Sequence, residues 1–157
     1  MKILSKSSDE TVEIGERLGK ILGGVLYQKS VQGGAMNQTV HGGQVVALYG
    51  DLGGGKTQFT KGIAKGLGIN DDIISPTFVI RRDYKGEKLN LLHYDFYRFE
   101  VPDEELVESL EEGMNPDNVT VIEWAERVEK NLPEDSIKVK FGYINENERE
   151  IEINKEV

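Results

Sequence analysis

The sequence predicts an α/β fold whose sheet is mostly parallel, with antiparallel strands added to it. Segments typical of strands and of helices alternate along much of the 157 residues, which favours parallel strands joined through helices. A short apolar run at 45–49 leads into a glycine-rich turn and then a helical pattern. Two segments of alternating polarity, 137–141 and 150–153, predict an antiparallel hairpin. We therefore expect three layers, with helices on both faces of one sheet.

Composition and charge narrow the possible functions. At 157 residues, with 38% hydrophobic and 30% charged residues, the chain resembles one soluble globular domain spanning 1–157. No apolar run approaches the ~20 residues of a membrane span, and the absence of cysteine excludes disulfides and zinc–thiolate sites. We therefore expect a cytoplasmic protein without membrane contact. The net charge of −9 disfavours autonomous nucleic-acid binding, which depends on neutralising phosphates, but it does not exclude a local nucleotide site.

The first part of the chain predicts one helix followed by a long loop. Ser7 and Glu10 form the pattern of a capping box, and apolar residues then recur at helical spacing, so we expect a helix over about 8–22. Thr11 lies in its first turn, where it is either helix surface or a contact to the base or ribose of a nucleotide. Residues 27–43 are rich in glycine and polar residues and predict an extended loop.

The glycine-rich turn is typical of phosphate binding. Gly50, Gly55, Lys56 and Thr57 fill the pattern G-x-x-x-x-G-K-[ST] of a P-loop. Glycines let the backbone approach a polyphosphate, and successive N–H groups then point inward together with the first donors of the next helix. In such a loop the lysine reaches the β- and γ-phosphates and the threonine hydroxyl ligates Mg²⁺. We therefore predict a nucleotide site here.

Asp95 lies in a segment whose alternation predicts a strand. Residues 77–83 and 88–97 predict paired strands, and the alternation places Asp95 on the same face as Leu91. A carboxylate is costly to bury without a partner, which makes Asp95 a candidate for catalysis or metal contact. Thr77, at the head of the first segment, belongs either to a switch that senses Mg²⁺ or γ-phosphate or to an ordinary Ser-Pro-Thr turn.

Glu123 ends a second strand of buried character. The apolar run 119–122 followed by an acid is the Walker B layout, in which a carboxylate at a strand end holds Mg²⁺ directly or through water beside the P-loop. Trp124 follows at once, which makes an ordinary surface glutamate the weaker interpretation. Short helices are predicted at 102–114 and 125–131.

Four stretches, GDLGGGKT (50–57), SPT (75–77), HYDFYR (93–98) and VIEW (121–124), occur in this order. With them the chain resembles the TsaE (YjeE) family, the ATPases of bacterial tRNA N6-threonylcarbamoyladenosine biosynthesis. The P-loop alone is generic, whereas its combination with the other stretches is specific. The resemblance runs from the first helix to the last residues, and the segment near 28–41 looks longer than the family usually has.

The resemblance implies an ATP- and Mg²⁺-dependent subunit that acts with TsaD and TsaB, and that meets tRNA only through their complex. It implies that Thr57 and Glu123 hold Mg²⁺. It also implies that Lys56, Asp95 and Glu123 are the catalytic residues, with Asp95 as a catalytic or water-orienting carboxylate. The residues implied to contact ATP are Thr11, Asp51, Leu52, Gly53, Gly54, Gly55, Lys56, Thr57, Thr77 and Trp124.

Two other functions stay open on the sequence alone. A small-molecule P-loop kinase would need an acceptor pocket and an arginine-rich lid, yet the adjacent pair Arg81-Arg82 falls in a predicted strand. A nucleotide-gated binding module with negligible hydrolysis would use the acidic surface as its interaction face. None of the six arginines stands in a glycine-rich or lid-like context, so we expect the chain to lack an arginine finger of its own.

Overall fold

A seven-stranded sheet is the centre of the computed structural model, which describes residues 1–31 and 44–155. The strand order is β1-β7-β6-β2-β5-β4-β3. The four inner strands β6, β2, β5 and β4 are parallel, and the edges add antiparallel pairings, as the α/β prediction requires. The strands are β1 (Lys2–Ser5), β2 (Gln44–Tyr49), β3 (Arg81–Tyr84), β4 (Asn90–Asp95), β5 (Asn118–Glu123), β6 (Ile137–Tyr143) and β7 (Arg149–Ile153).

Helices cover both faces of this sheet. On one face, α1 (Ser8–Val31) and α2 (Lys56–Gly66) pack over a core that includes alternate residues of β2 and β4. On the other face, α3 (Glu104–Gly113) and the 3₁₀ helix Ala125–Asn131 enclose a second core formed by the intervening residues of the same strands. The predicted three layers are thus confirmed. None of the helices in the described ranges is long and apolar enough to cross a membrane.

The amino-terminal segment differs from the prediction in two ways. Residues 2–5 form β1, an unpredicted strand, because a short edge strand depends on its pairing with β7 and not on a local pattern. The cap of α1 forms as predicted, with the Glu10 amide donating to Ser7 Oγ at 3.1 Å. The helix nevertheless continues to Val31, so the loop prediction was wrong for 27–31, where no residue is a strong helix breaker. Residues 32–43 of that predicted loop lie outside the described residues.

Strand β3 begins later than predicted. Residues 77–80 form a turn in which the amides of Val79 and Ile80 both donate to the Pro76 carbonyl, at 3.0 and 2.6 Å. Ile80 has a φ of 71°, which is uncommon for a β-branched residue and incompatible with a strand. The apolar run Phe78–Ile80 imitates a strand by composition, but the turn after Pro76 delays pairing to Arg81.

Four glycines bring α1 and α2 into close contact. A Cβ at Gly15 would lie 2.2 Å from the Phe59 carbonyl oxygen, and one at Gly62 would lie 2.1 Å from that of Val12. Gly19 and Gly66 repeat this relation one turn further along both helices. Because the obstructing atoms are backbone, only glycine permits this separation. The contact holds the start of α1 beside the start of α2.

Gly62→Ala is therefore expected to destabilise the protein by about 1–3 kcal/mol, because the two helix backbones must move apart to admit a methyl group. Gly24→Ala is the matched control: a Cβ there meets no described atom within 4 Å, and alanine favours the helix by roughly 0.5–1 kcal/mol. Urea unfolding of the two variants checks this. Equal free energies of unfolding would contradict the close-contact explanation.

Candidate functional site

The loop between β2 and α2 has the backbone of a phosphate cradle. Gly50, Gly53 and Gly55 have φ values of 136°, 72° and 99°, which side-chain-bearing residues rarely adopt. Helix α2 begins directly after Gly55, with no side-chain cap and no acidic residue in its first turn. Its free N–H groups and positive dipole end therefore face the loop, and no acidic residue in the first turn of the helix itself neutralises them.

Lys56 is buried at the base of this loop. Its Nζ donates to the carbonyl oxygens of Gly50 at 2.5 Å and Asp51 at 2.8 Å, and lies 4.7 Å from the centre of the Trp124 ring. Burial lowers the pKa of Lys56, and the negative charges of Glu123 and Asp95 partly oppose that shift. The ammonium group thus has neutral carbonyl partners and two nearby carboxylates.

Glu123 joins the P-loop to the neighbouring strands. Its Oε1 accepts a hydrogen bond from Thr57 Oγ1 at 2.9 Å and lies 2.8 Å from His93 Nε2. His93 is fully buried, and its Nδ1 has no partner among the described residues. The contact with Glu123 is therefore the side-chain partner that the structure gives this buried ring. His93 therefore fixes the orientation of the Glu123 carboxylate.

Asp95 lies beside Glu123 on the adjacent strand, at the paired register position. Its Oδ2 accepts from the hydroxyl groups of Thr77 at 2.7 Å and Ser75 at 3.4 Å, and its Oδ1 accepts from the Tyr97 amide at 2.8 Å. Among the described residues, these side-chain partners are hydroxyl groups and an amide, not an arginine. The carboxylate links the turn at 75–77 to the end of β4.

An open cleft of about 350 Å³ lies between these elements. The predicted residues that line it are Thr11, Leu52, Gly53, Gly54, Gly55, Lys56, Thr57, Thr77, Asp95, Glu123 and Trp124. Asp51 is the exception, since its side chain is exposed outside the cleft and its carbonyl oxygen is turned toward Lys56. The structure thus brings the predicted set together, while the chemical roles assigned to its members stay predictions.

The cleft also contains residues that sequence reasoning missed. Glu146, Asn147 and Arg149 reach it from the β6–β7 hairpin, and Arg149 Nη2 donates to the Gly53 carbonyl at 3.1 Å. The sequence does not place Arg149 at the loop. The expectation that the chain lacks an arginine finger of its own stays a prediction, because the Arg149 guanidinium is bonded to backbone carbonyls. No local pattern marks this residue, because its position results from the pairing of distant strands. Ser7, Ser8, Gln58 and Ser75 complete the missed set.

The residues present fit a magnesium ion that is bound mainly through phosphate and water. Thr57 supplies a hydroxyl and Glu123 a carboxylate 2.9 Å away, both oxygen ligands of the kind that Mg²⁺ prefers. Within residues 1–31 and 44–155, no group of three or more acidic, histidine or cysteine side chains forms a self-sufficient metal cage. One carboxylate and one hydroxyl beside a phosphate cradle is the arrangement expected of a nucleotide-dependent Mg²⁺ site.

The fold and the glycine-rich loop together define a P-loop α/β protein. A solved structure of this kind, that of YdiB from Bacillus subtilis, superimposes with a TM-score of 0.65 at 29% identity, covering 98% of this chain and 83% of that one. The profile of the TsaE family, described as threonylcarbamoyl adenosine biosynthesis protein TsaE, matches residues 5–151. The chain belongs to the TsaE family, and thus to a family involved in tRNA threonylcarbamoyladenosine biosynthesis.

Curated relatives agree with this assignment. The tRNA threonylcarbamoyladenosine biosynthesis protein TsaE of Treponema pallidum is 34% identical over 153 residues, covering 98% of this chain and 99% of its own length. The proteins of the same name from Bacillus subtilis and Rickettsia prowazekii are 43% and 40% identical over 109 and 120 residues. Those matches cover 69% and 76% of this chain, and 68% and 83% of the relatives.

Proposed function

We propose that this chain, as a single P-loop domain, is the Mg²⁺-dependent ATPase subunit of tRNA threonylcarbamoyladenosine biosynthesis and acts with TsaD and TsaB. The observation that carries this proposal is the hydrogen bond between Thr57 of the P-loop and Glu123 of β5, with Asp95 at the next register position. ATP hydrolysis requires a site for the phosphates, ligands for the metal and a group that positions the attacking water. The P-loop, the pair Thr57 and Glu123, and Asp95 are proposed for these three roles.

In this proposal the P-loop backbone binds the phosphates of ATP. Lys56 exchanges its two carbonyl partners for oxygens of the β- and γ-phosphates, because hydrogen bonds between charged groups are stronger than those to neutral carbonyls. The phosphate charge also opposes the burial that lowers the pKa of Lys56. Thr11 and Trp124, which both line the cleft, are the proposed contacts to the nucleoside part.

Thr57 and Glu123 are the proposed protein ligands of Mg²⁺, and His93 holds Glu123 in the required orientation. When bound, Mg²⁺ neutralises charge on the phosphate oxygens. Asp95 is the group proposed to orient the attacking water, and its position beside Glu123 in the lining of the cleft supports this role. The Thr77 hydroxyl, 2.7 Å from Asp95, would hold that carboxylate still.

We infer dependence on partner proteins because the arginine at the cleft is already bonded to backbone carbonyls. Among the described residues, Arg149 is the arginine that lines the cleft, and its guanidinium is bonded to the carbonyls of Gly53, Asn145 and Glu148. A positive finger on the transferring phosphate is worth roughly 10³–10⁵ in rate. Because Arg149 is engaged by backbone, we expect slow hydrolysis by the chain alone and faster hydrolysis with TsaD and TsaB.

An ATPase assay of the full chain, alone and mixed with the TsaD and TsaB proteins of the same organism, tests the proposal. We expect slow Mg²⁺-dependent release of phosphate alone and a clear increase in the mixture. Rapid hydrolysis that the partners leave unchanged would contradict partner dependence, and no hydrolysis under either condition would favour the nucleotide-gated module. Transfer of labelled phosphate to a small acceptor would favour the kinase, although Arg81 is bonded to Asp83 within β3 and not placed in a lid.

The chain by itself is expected not to bind tRNA. Its net charge of −9 repels a polyanion at long range, and its P-loop donors serve a single nucleotide. Filter binding of labelled tRNA at low salt, where electrostatic attraction is strongest, measures this, with the TsaD–TsaB mixture as the positive comparison. Tight binding by the isolated chain would contradict the proposal.

The cytoplasmic location expected from the sequence belongs to the same proposal, because the proposed pathway modifies tRNA.

A further inference from the structure

The turn 76–80, which carries Thr77 into the cleft, has a strained backbone. Ile80 has a φ of 71°, and the amides of Val79 and Ile80 converge on the single carbonyl oxygen of Pro76. A β-branched residue in this region is unfavourable and persists only where its surroundings hold it. Phe78 and Val79 are 84% and 51% exposed, so packing of their side chains does not hold the turn.

Arg98 contacts this turn from outside the cleft. Its Nε donates to the Thr77 carbonyl at 2.8 Å, and its Nη2 donates to the Phe78 carbonyl at 2.7 Å. The guanidinium also lies 5.9 Å from the centre of the Phe78 ring. Arginine presents its donors in a rigid planar fork, so two consecutive carbonyls bonded to one guanidinium are held in a fixed relation.

The side chain of Thr77, in the same turn, contacts the carboxylate of Asp95. The Thr77 hydroxyl donates to Asp95 at 2.7 Å, while the Asp95 amide donates to the Ile80 carbonyl at 2.9 Å. Thr77 is thus bonded through its carbonyl to Arg98 and through its hydroxyl to Asp95. A shift of the turn would change the position of the hydroxyl relative to Asp95.

We propose that Arg98 is a positioning residue for the ATPase site: by bonding to the Thr77 and Phe78 carbonyls it holds the strained turn so that the Thr77 hydroxyl stays against Asp95. The inference rests on the proposed function for its catalytic consequence, whereas the structural part stands on the hydrogen bonds alone. Arg98 itself neither lines the cleft nor touches the nucleotide in this proposal.

Amide hydrogen exchange of the full-length chain without nucleotide tests the structural part. In Arg98→Ala, exchange at Val79, Ile80 and Asp95 is expected to rise about tenfold or more, the factor that corresponds to one charged hydrogen bond. Amides at the centre of β2 and β5 should exchange as in the wild type. Arg98→Lys should give an intermediate rise, because an ammonium group does not fix two carbonyls. Arg17→Ala, which removes the same charge from an exposed position of α1, is the control.

Hydrolysis with TsaD and TsaB present tests the catalytic part. We expect Arg98→Ala to lower kcat about tenfold to a hundredfold, as misplacement of a positioned group does, with unchanged ATP affinity. Affinity is read from the fluorescence of Trp124, the single tryptophan of the chain, which lines the cleft. Adding Ile80→Gly to Arg98→Ala should recover part of the lost kcat, because glycine adopts the same φ without strain.

Three results would overturn the proposal. They are unchanged exchange in the turn, a loss of ATP affinity equal to the loss of kcat, or a uniform rise in exchange across the sheet. The second would mean direct nucleotide contact by Arg98 and the third a general structural role. If the wild-type chain hydrolyses no ATP with its partners, the proposed function fails, while the exchange comparison still decides whether Arg98 holds the turn.

Discussion

Glu123→Gln and Thr57→Ala are each expected to lower Mg²⁺-dependent ATP hydrolysis by about 10²-fold or more, while the fold is retained. A bound metal contributes several kcal/mol of charge stabilisation, and a loss of 2.7 kcal/mol corresponds to a factor of about 100. Glutamine keeps the size of the buried Glu123 side chain and a hydrogen-bonding partner for His93, so it tests charge and not packing. Steady-state hydrolysis measured across a range of Mg²⁺ concentrations checks the effect.

Thr57→Ser is the matched control, since it keeps the hydroxyl that lies 2.9 Å from Glu123. It should retain most of the activity that Thr57→Ala loses. Binding of Mg²⁺ together with a non-hydrolysable ATP analogue, followed through Trp124 fluorescence, separates metal affinity from turnover. Wild-type hydrolysis in either Thr57→Ala or Glu123→Gln would refute the assignment of the metal ligands.

Asp95→Asn is expected to lower kcat by about 10²–10⁴-fold with little change in ATP affinity, the range that a positioned acid–base group contributes. Asparagine retains an oxygen for the Tyr97 amide, but it loses the negative charge that would orient the attacking water. Single-turnover hydrolysis and Trp124 fluorescence measure the chemical step and the affinity separately.

Thr77→Val, which removes the hydroxyl bonded to Asp95, provides the comparison for this variant. If Asp95 acts on water, Asp95→Asn should be the more damaging of the two. A purely structural Asp95 predicts the opposite result: a lower melting temperature, with normal hydrolysis by the fraction that remains folded. That result would remove Asp95 from the proposed catalytic residues.

The elements predicted with success are those whose signal lies within a few residues. These elements are the N-cap at Ser7, the P-loop, the acid that ends β5 and the terminal hairpin. Each has local backbone or burial requirements that restrict residue type. Where the local sequence pattern was ambiguous, contacts with distant segments decided whether the residues formed helix, strand or turn. Polar composition suggested a loop at 27–31, which is helix, and an apolar run suggested a strand at 77–80, which is a turn.

The residues of the candidate site also fall into two groups, those that local sequence patterns predicted and those that only tertiary contacts revealed. Four residues that line the cleft were predicted to belong to the site: Lys56, Thr57, Asp95 and Glu123. They were predicted because phosphate and metal binding favours these residue types next to glycine-rich turns and strand ends. Arg149 was missed, since only the pairing of β6 with β7 brings it to Gly53. Arg98 was likewise unassigned, because its partners are backbone carbonyls 20 and 21 positions away, and no side-chain pattern records such contacts.

By itself the sequence determined the kind of fold, the order of its central elements and which residues are predicted to bind phosphate, because each depends on periodicity or on chemistry at short spacing. Tertiary structure alone decided how closely the helices approach and how the two predicted carboxylates are arranged relative to each other. The glycines of α1 and α2 are separated by more than forty residues, yet their backbones touch and so bring Thr11 beside Gly55. Parallel pairing of β4 with β5 places Asp95 next to Glu123. These relations depend on contacts between distant segments, which local patterns do not specify.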